Sequence, residues 1–269
     1  MGTLKGILKD NWEWRGQIWR LAVFELKKQQ RGAAFGWGWF FVKPIIYVFC
    51  FWFALDVGMR GAKVVVGDGP YIVWLAAGII PWFFMSNMLG GGVDVLRKFS
   101  YLVKKVKFPI CAIPSIYTLS TLLIQLIQYV VLFAVYFGTG QPLDLYLLQF
   151  PVLVILMTVF WWLVSLLISP LCAMSRDMKN LMNALSTPFF WLSGVIFDVH
   201  SMNSVAIHTA LLFNPITFFV TGFRDALFLK VWIWDDPMTC ICFVAVFLVT
   251  AILALFVYKK TNREVADVL

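Results

Sequence analysis

With 269 residues, 61% of them hydrophobic and only 13% charged, the chain is too apolar for an ordinary soluble domain. A net charge of +8 raises nucleic acid as a partner, but the basic residues flank apolar runs instead of forming a domain of their own. A membrane surface is therefore the expected counterpart of that charge, and no nucleic-acid partner is expected. A helical span takes ~20 mostly apolar residues to cross ~30 Å of hydrocarbon, and several runs here reach that length. With no linker, repeat or low-complexity tract, residues 1–269 read as one all-α integral membrane domain.

Residues 1–36 open the chain. Up to Arg31 the pattern is an amphipathic helix, with Trp12, Trp19, Val23 and Leu26 on one stripe and Gln17, Arg20, Lys27, Lys28 and Arg31 on another face. Tryptophan opposite Lys and Arg is the pattern of a helix lying in the headgroup region; a packed cytoplasmic helix is the alternative. The first apolar run begins late and no small-residue cleavage site follows a short core, so no secretory signal is expected.

The first span is expected from Trp37 to Gly58 and carries Lys43-Pro44 near its start. Lys43 can snorkel to the headgroups from there, and Pro44 loosens the backbone. After a glycine-rich loop to Pro70, a second span runs from Tyr71 to Val93 and ends in Gly90-Gly91-Gly92, a sequence that unsettles a helix. The third span, Ile110 to Phe137, contains Gln125 and Gln128, which need partners on a neighbouring helix. The fourth runs from Leu145 to Ala173. A tight polar turn is expected over Ser175–Asn180, then a short fifth span from Leu181 to Phe197.

Residues 198–237 contain an apolar segment that Asn214-Pro215 breaks and that holds Arg224-Asp225 inside it. Two short half-helices dipping back from the outer surface fit this better than a further crossing. Met238 to Tyr258 is the sixth span, followed by Lys259, Lys260 and Arg263. With both termini in the cytoplasm, 18 of the 22 Lys and Arg lie inside and four (Arg60, Lys63, Arg224, Lys230) outside, as the positive-inside bias requires.

Asp94 to Pro109 holds five cations between two long spans, which places it in the cytoplasm. It also carries Leu96, Phe99, Tyr101, Leu102, Val103, Val106 and Phe108, more apolar surface than a solvated loop needs. It either rests on lipid headgroups or presses on a soluble partner.

Chemistry of its own is not expected. The chain has no phosphate-cradling Gly-x-x-x-x-Gly-Lys-Ser/Thr sequence. Its only histidines, His200 and His208, lack metal-ligand spacing to any acidic or cysteine cluster. The five cysteines (Cys50, Cys111, Cys172, Cys240, Cys242) have no Cys-x-x-Cys pairing and are expected to pack as small apolar residues. No metal, nucleophile or paired carboxylate stands out, which counts against a membrane-embedded polyprenyl-sugar transferase.

The order of features resembles the ATP-binding-cassette type-2 permeases that export lipid-linked polysaccharides such as O-antigen and teichoic acid. The likeness rests on Gly36-Trp37 and Pro44, Gly78-Ile79-Ile80-Pro81-Trp82-Phe83-Phe84, Lys107-Phe108-Pro109 with Pro114, Arg176-Asp177, and Asn214-Pro215 with Arg224. Two positions depart from the family's habit. Ser193 precedes Gly194 where a proline is common, and Arg31 precedes Gly32 where an aromatic residue is common.

This resemblance implies a half-transporter in the bacterial plasma or inner membrane that dimerises and pairs with two separate ATPase subunits. Those subunits would hold ATP and Mg²⁺, and this chain would bind no cofactor. It gives residues 94–109 the role of a coupling helix, with Arg97, Phe99, Tyr101, Leu102, Lys104, Lys105 and Phe108 as contacts. It makes the half-helices, with Asn214, Pro215 and Arg224, an outer gate. Lys28, Arg31 and Lys43 would receive the diphosphate of a polyprenyl carrier. Sugars stack their C–H faces on aromatic rings, so Phe40, Tyr47, Phe51, Trp52, Phe190 and Trp191 are candidates for lining the path. A drug or antibiotic exporter permease of the same superfamily is the other reading.

Overall fold

The computed structural model describes residues 4–58, 69–106, 108–199, 202 and 204–268. Among the described residues the chain is helical, with no strand. The expected cations Arg60, Lys63 and Lys107 and His200 lie outside them, as does the Arg263 side chain.

The amphipathic start is two helices, not one: α1 (Leu4–Glu13) and α2 (Arg15–Lys28) meet at Trp14, which leaves helical geometry at φ −93 and ψ 7. That break changes which face packs. Ile7, Ile18, Ala22 and Leu26 are buried, while Trp12 and Trp19 stay exposed for the headgroup region. A tight turn over Gly36–Gly38 leads into α3 (Trp39–Trp52).

α4 (Tyr71–Asn87) is the centre of the bundle and packs against α3, α7 and α11. It bears no charge, and the small side chains at Ala76, Ala77 and Gly78 let its neighbours close in. The triple glycine does not end the helix. It continues as a wide π-type turn over Met88–Gly92, and the chain breaks only at Val93-Asp94. The glycine is used for space: a Cβ on Gly91 would sit 2.0 Å from the Tyr117 hydroxyl.

Two short helices, α5 (Val95–Lys98) and α6 (Ser100–Val106), precede α7 (Ile113–Gly138) and α8 (Gln149–Met174). Gln125 donates to the Ile80 carbonyl at 3.0 Å, which meets the need for a partner on a neighbouring helix. Only Ser175 interrupts the helix after α8, and α9 (Arg176–Leu192) starts at once, absorbing the expected polar turn and ending before the expected Phe197. α10 (Val205–Leu212) and α11 (Pro215–Arg224), the latter continued to Leu229, are bent by 92°. α12 (Pro237–Val268) runs well past Tyr258 and packs along α8.

The segments 36–58, 71–92, 110–138, 145–174 and 237–261 are long and apolar enough to cross a membrane, and the bent pair makes six if counted as one span. α9, with 17 residues and a polar first turn, is shorter than these. The chain is a multi-pass integral membrane protein with five to six apolar spanning helices. Cys111, Cys172 and Cys242 are buried as packing residues, whereas Cys50 is exposed on the outer face of α3.

Candidate functional site

Many of the candidate residues lie in three regions beside, along and just past α9. Beside the start of α9, the helical path kinks at Phe99 (φ −107, ψ 21), so α5 and α6 lie on the bundle as two pieces. The kink turns the apolar side chains inward. Phe99, Leu102 and Phe108 are 3%, 5% and 3% exposed, and Phe108 packs edge-on against Trp14 at 4.8 Å. This corrects the expectation that these three form an outer contact surface. Among the described residues of the segment, Lys98, Tyr101, Lys104, Lys105 and Val106 are exposed.

Polar contacts fasten this segment to three other elements. Lys98 pairs with the buried Glu25 of α2 at 2.5 Å and lies over the Tyr117 ring at 4.8 Å. Arg97 donates to the Ala173 carbonyl near the end of α8 at 3.2 and 3.4 Å. Lys179, in the first turn of α9, pairs with Asp94 at 2.7 Å. The Tyr101 phenol is pushed above its ordinary range, first by burial and then by the Glu25 carboxylate.

Further along α9, Phe190 enters an aromatic cluster. Its ring lies 5.5 Å from Phe51 and 6.5 Å from Tyr47 of α3, and 5.5 Å from Trp82 of α4. Phe83 joins through Tyr47 at 5.3 Å. Tyr47, Phe51 and Phe190 thus lie together, with Trp82 and Phe83 as further members of the cluster. The other candidates lie elsewhere. Phe40 is buried beside Leu26 and Ile124, Trp52 packs on Phe49 at 5.9 Å, and Trp191 is exposed. Lys28, Arg31 and Lys43 are all exposed around the α2–α3 connection, with the Arg31 guanidinium 5.8 Å over Phe24.

Past its end, α9 leads into Ser193–Phe197, which cradles the bent pair. Asn214 caps α11 by accepting from the Ile216 amide at 3.0 Å, with Pro215 in the first turn. The Asn214 amide also donates to the Ser193 hydroxyl at 2.7 Å, and Thr217 donates to the Ser193 carbonyl at 3.2 Å. Arg224 is 3% exposed. It donates to the carbonyls of Gly194 (2.6 Å), Val195 (2.5 Å) and Trp74 (3.2 Å), and its guanidinium lies 3.4 Å over the Trp74 ring.

A buried guanidinium persists only if its N–H groups find acceptors, and here backbone carbonyls serve. Gly78 makes the room, since a Cβ there would fall 2.5 Å from the Arg224 Nη2 and 2.8 Å from the Val195 oxygen. Gly194 adopts φ +72, which aims its carbonyl at Arg224. Proline, locked near −65°, cannot take that conformation. Gly32, the other departure, is likewise left-handed at φ +83. Outside the bundle, Lys230 pairs with Asp144 at 2.6 Å, and that hydrogen bond is the main cause of the upward shift of the Lys230 amine.

These features define a multi-pass membrane protein in which one helix lies between a surface segment at its start, an aromatic cluster along its length and a buried arginine clamp just past its end. The family model for ABC-2 type transporters matches residues 16–228, and the chain belongs to that family. Among curated proteins, it is 22% identical over 263 residues to the O-antigen export system permease protein RfbA of Myxococcus xanthus, covering 97% of this chain and 98% of that one. Two proteins of the same name from Klebsiella pneumoniae are 21% and 20% identical over 250 and 251 residues, each covering 91% of this chain and 92% of theirs.

Proposed function

We propose that this chain is the transmembrane subunit of an ABC exporter that moves a lipid-linked polysaccharide from the cytoplasm to the outer face of a bacterial cell membrane. Near full-length similarity to permeases named for O-antigen export supports the substrate class. Two copies of the chain pair with two ATPase subunits, which bind ATP and Mg²⁺ and supply the energy; the chain itself has no ATPase site or cofactor. The apolar residues Ile45, Ile46 and Phe49 of α3 and Trp191 and Leu192 of α9, all exposed in the single chain, support a second copy beside the aromatic cluster. Both termini lie in the cytoplasm.

The ATPase docks on Tyr101, Lys104, Lys105 and Val106, while Phe99, Leu102 and Phe108 anchor that surface to the bundle. Lys28, Arg31 and Lys43 receive the carrier diphosphate, since a cation at a low-dielectric surface attracts an anion more strongly than in bulk water. Glycan passes Tyr47, Phe51 and Phe190, whose stacking faces tolerate many sugars. The Arg224 clamp holds the outer gate.

The observation that carries this mechanism is the placement of α9, which starts at the Asp94–Lys179 pair and ends at Leu192, directly before the turn whose Gly194 and Val195 carbonyls hold Arg224. The whole reading is tested in proteoliposomes containing the permease and its ATPase. Lipid-linked glycan is expected to stimulate ATP hydrolysis and to reach the far leaflet. Stimulation by small amphipathic drugs with none by glycan would assign the chain to drug export instead.

A further inference from the structure

We propose that a crevice between the N-terminal helices and the α7–α8 pair binds one anionic glycerophospholipid of the cytoplasmic leaflet, with its phosphate on Arg15 and an acyl chain along Leu119. The crevice has a volume of 360 Å³. It shares no helix with the aromatic cluster on α3, α4 and α9, so it is separate from the proposed glycan path.

Its two ends differ in chemistry. At the outer lip, on the first turn of α7, Trp162 donates to the Ser115 hydroxyl at 2.8 Å, Ser115 donates to Asn11 at 2.5 Å, and Asn11 donates to the Ile7 carbonyl at 2.8 Å. That chain consumes its own polar groups and leaves Arg15 as the charge offered at the lip. One N–H of Arg15 is fixed to the Trp12 carbonyl at 2.9 Å and its guanidinium lies 4.6 Å over the Trp12 ring, which orients the exposed remainder. One turn deeper, the Thr118 and Thr158 hydroxyls are turned back onto the carbonyls of Pro114 (2.9 Å) and Val154 (2.7 Å). Their methyl groups, with Leu119 and Val159, make that half apolar.

A fixed guanidinium at headgroup depth above an apolar slot fits a phosphate joined to a hydrocarbon chain. A zwitterionic lipid carries a compensating cation that Arg15 would repel, so an anionic headgroup is preferred. Because the crevice is lined by none of the residues of the aromatic cluster and by none of Lys28, Arg31 and Lys43, the proposed occupant is a resident leaflet lipid and not the transported carrier.

Native mass spectrometry of the full chain, released from mixed micelles of phosphatidylglycerol and phosphatidylcholine, tests this. Wild type is expected to retain one phosphatidylglycerol in preference to phosphatidylcholine. Arg15→Gln should lower that retention about five-fold, the equivalent of ~1 kcal/mol for one cation at an anionic surface. Arg20→Gln, an exposed cation on the same helix outside the crevice, should leave it unchanged, and Leu119→Trp should lower retention by filling the slot. Equal losses for Arg15→Gln and Arg20→Gln, or no preference between the lipids, would reduce the effect to general surface charge and overturn the site. Displacement of phosphatidylglycerol by an equal concentration of polyprenyl phosphate would overturn the assignment to a resident lipid. These readouts involve no transport, so they stand or fall separately from the export reading.

Discussion

Asp94 and Lys179 meet at 2.7 Å across 85 residues of sequence, joining the segment before α7 to the first turn of α9. At the other end of α9, the carbonyls of Gly194 and Val195 hold Arg224. α9 therefore has the proposed docking segment beside its first turn and the Arg224 clamp just past its last, with Phe190 in the aromatic cluster between them. At 1.5 Å per residue, its length is ~25 Å, most of the hydrocarbon thickness.

The clamp depends on glycine at two places. Gly78→Ala is expected to displace the Arg224 fork, because its Cβ would lie closer to the guanidinium than any real contact allows. Gly194→Pro installs the residue common in the family but cannot reach φ +72. Both variants should unfold at lower temperature in nanodiscs, with losses of ~2 kcal/mol or more from unsatisfied buried groups and backbone strain. Unchanged melting for both would show that the Arg224 cradle is dispensable.

The proposed docking surface separates two groups of side chains that adjoin in sequence. Replacing Tyr101 with alanine and Lys104 and Lys105 with glutamate should weaken co-purification of the ATPase while leaving the permease's melting temperature in place. An aromatic anchor of this kind is typically worth ~2 kcal/mol. Phe99→Ala and Leu102→Ala should do the reverse and destabilise the permease by ~2–5 kcal/mol, because each empties a site in its core.

Phe190 is the shared ring of the aromatic cluster, in contact with both α3 and α4. Phe190→Ala should reduce glycan flux measured in proteoliposomes, whereas Phe190→Trp, which keeps a stacking face, should retain most of it. Phe40 is as buried as Phe190 but packs between Leu26 and Ile124, apart from that cluster, so Phe40→Ala should act on stability and not on flux. Equal effects of Phe190→Ala and Phe190→Trp on flux would remove stacking as the explanation.

Spans were legible because apolar runs bounded by charge and proline have few other uses. The break at Asn214-Pro215 and the charge of Arg224 likewise pointed to a bent pair of short helices, which the 92° bend bears out. Sequence could not show that Arg224 is caged by carbonyls, since backbone acceptors leave no mark in residue type. The facing of Phe99 and Leu102 was hidden by the kink between a four-residue and a seven-residue helix, which breaks the periodicity that would reveal the buried side. α9 was misplaced because its first turn is polar. Met178, Met182, Leu185 and Phe189, at helical spacing on the less exposed side, were the signal that it begins at Arg176. Glu25, an acid buried on an otherwise basic helix, was the corresponding signal for the Lys98 pair.

The central claim is that α9 carries motion from the docking segment to the gate through Asp94 and Lys179. The pair is partly exposed and contributes ~1 kcal/mol or less to stability, so its loss should show in coupling before it shows in folding. The direct measurement is glycan transported per ATP hydrolysed in proteoliposomes holding the permease and its ATPase. Lys179→Asp and Asp94→Lys, each placing like charges together, should lower that ratio, and the double exchange should restore it. Single variants that keep the wild-type ratio, or a double exchange as uncoupled as the singles, would contradict the account.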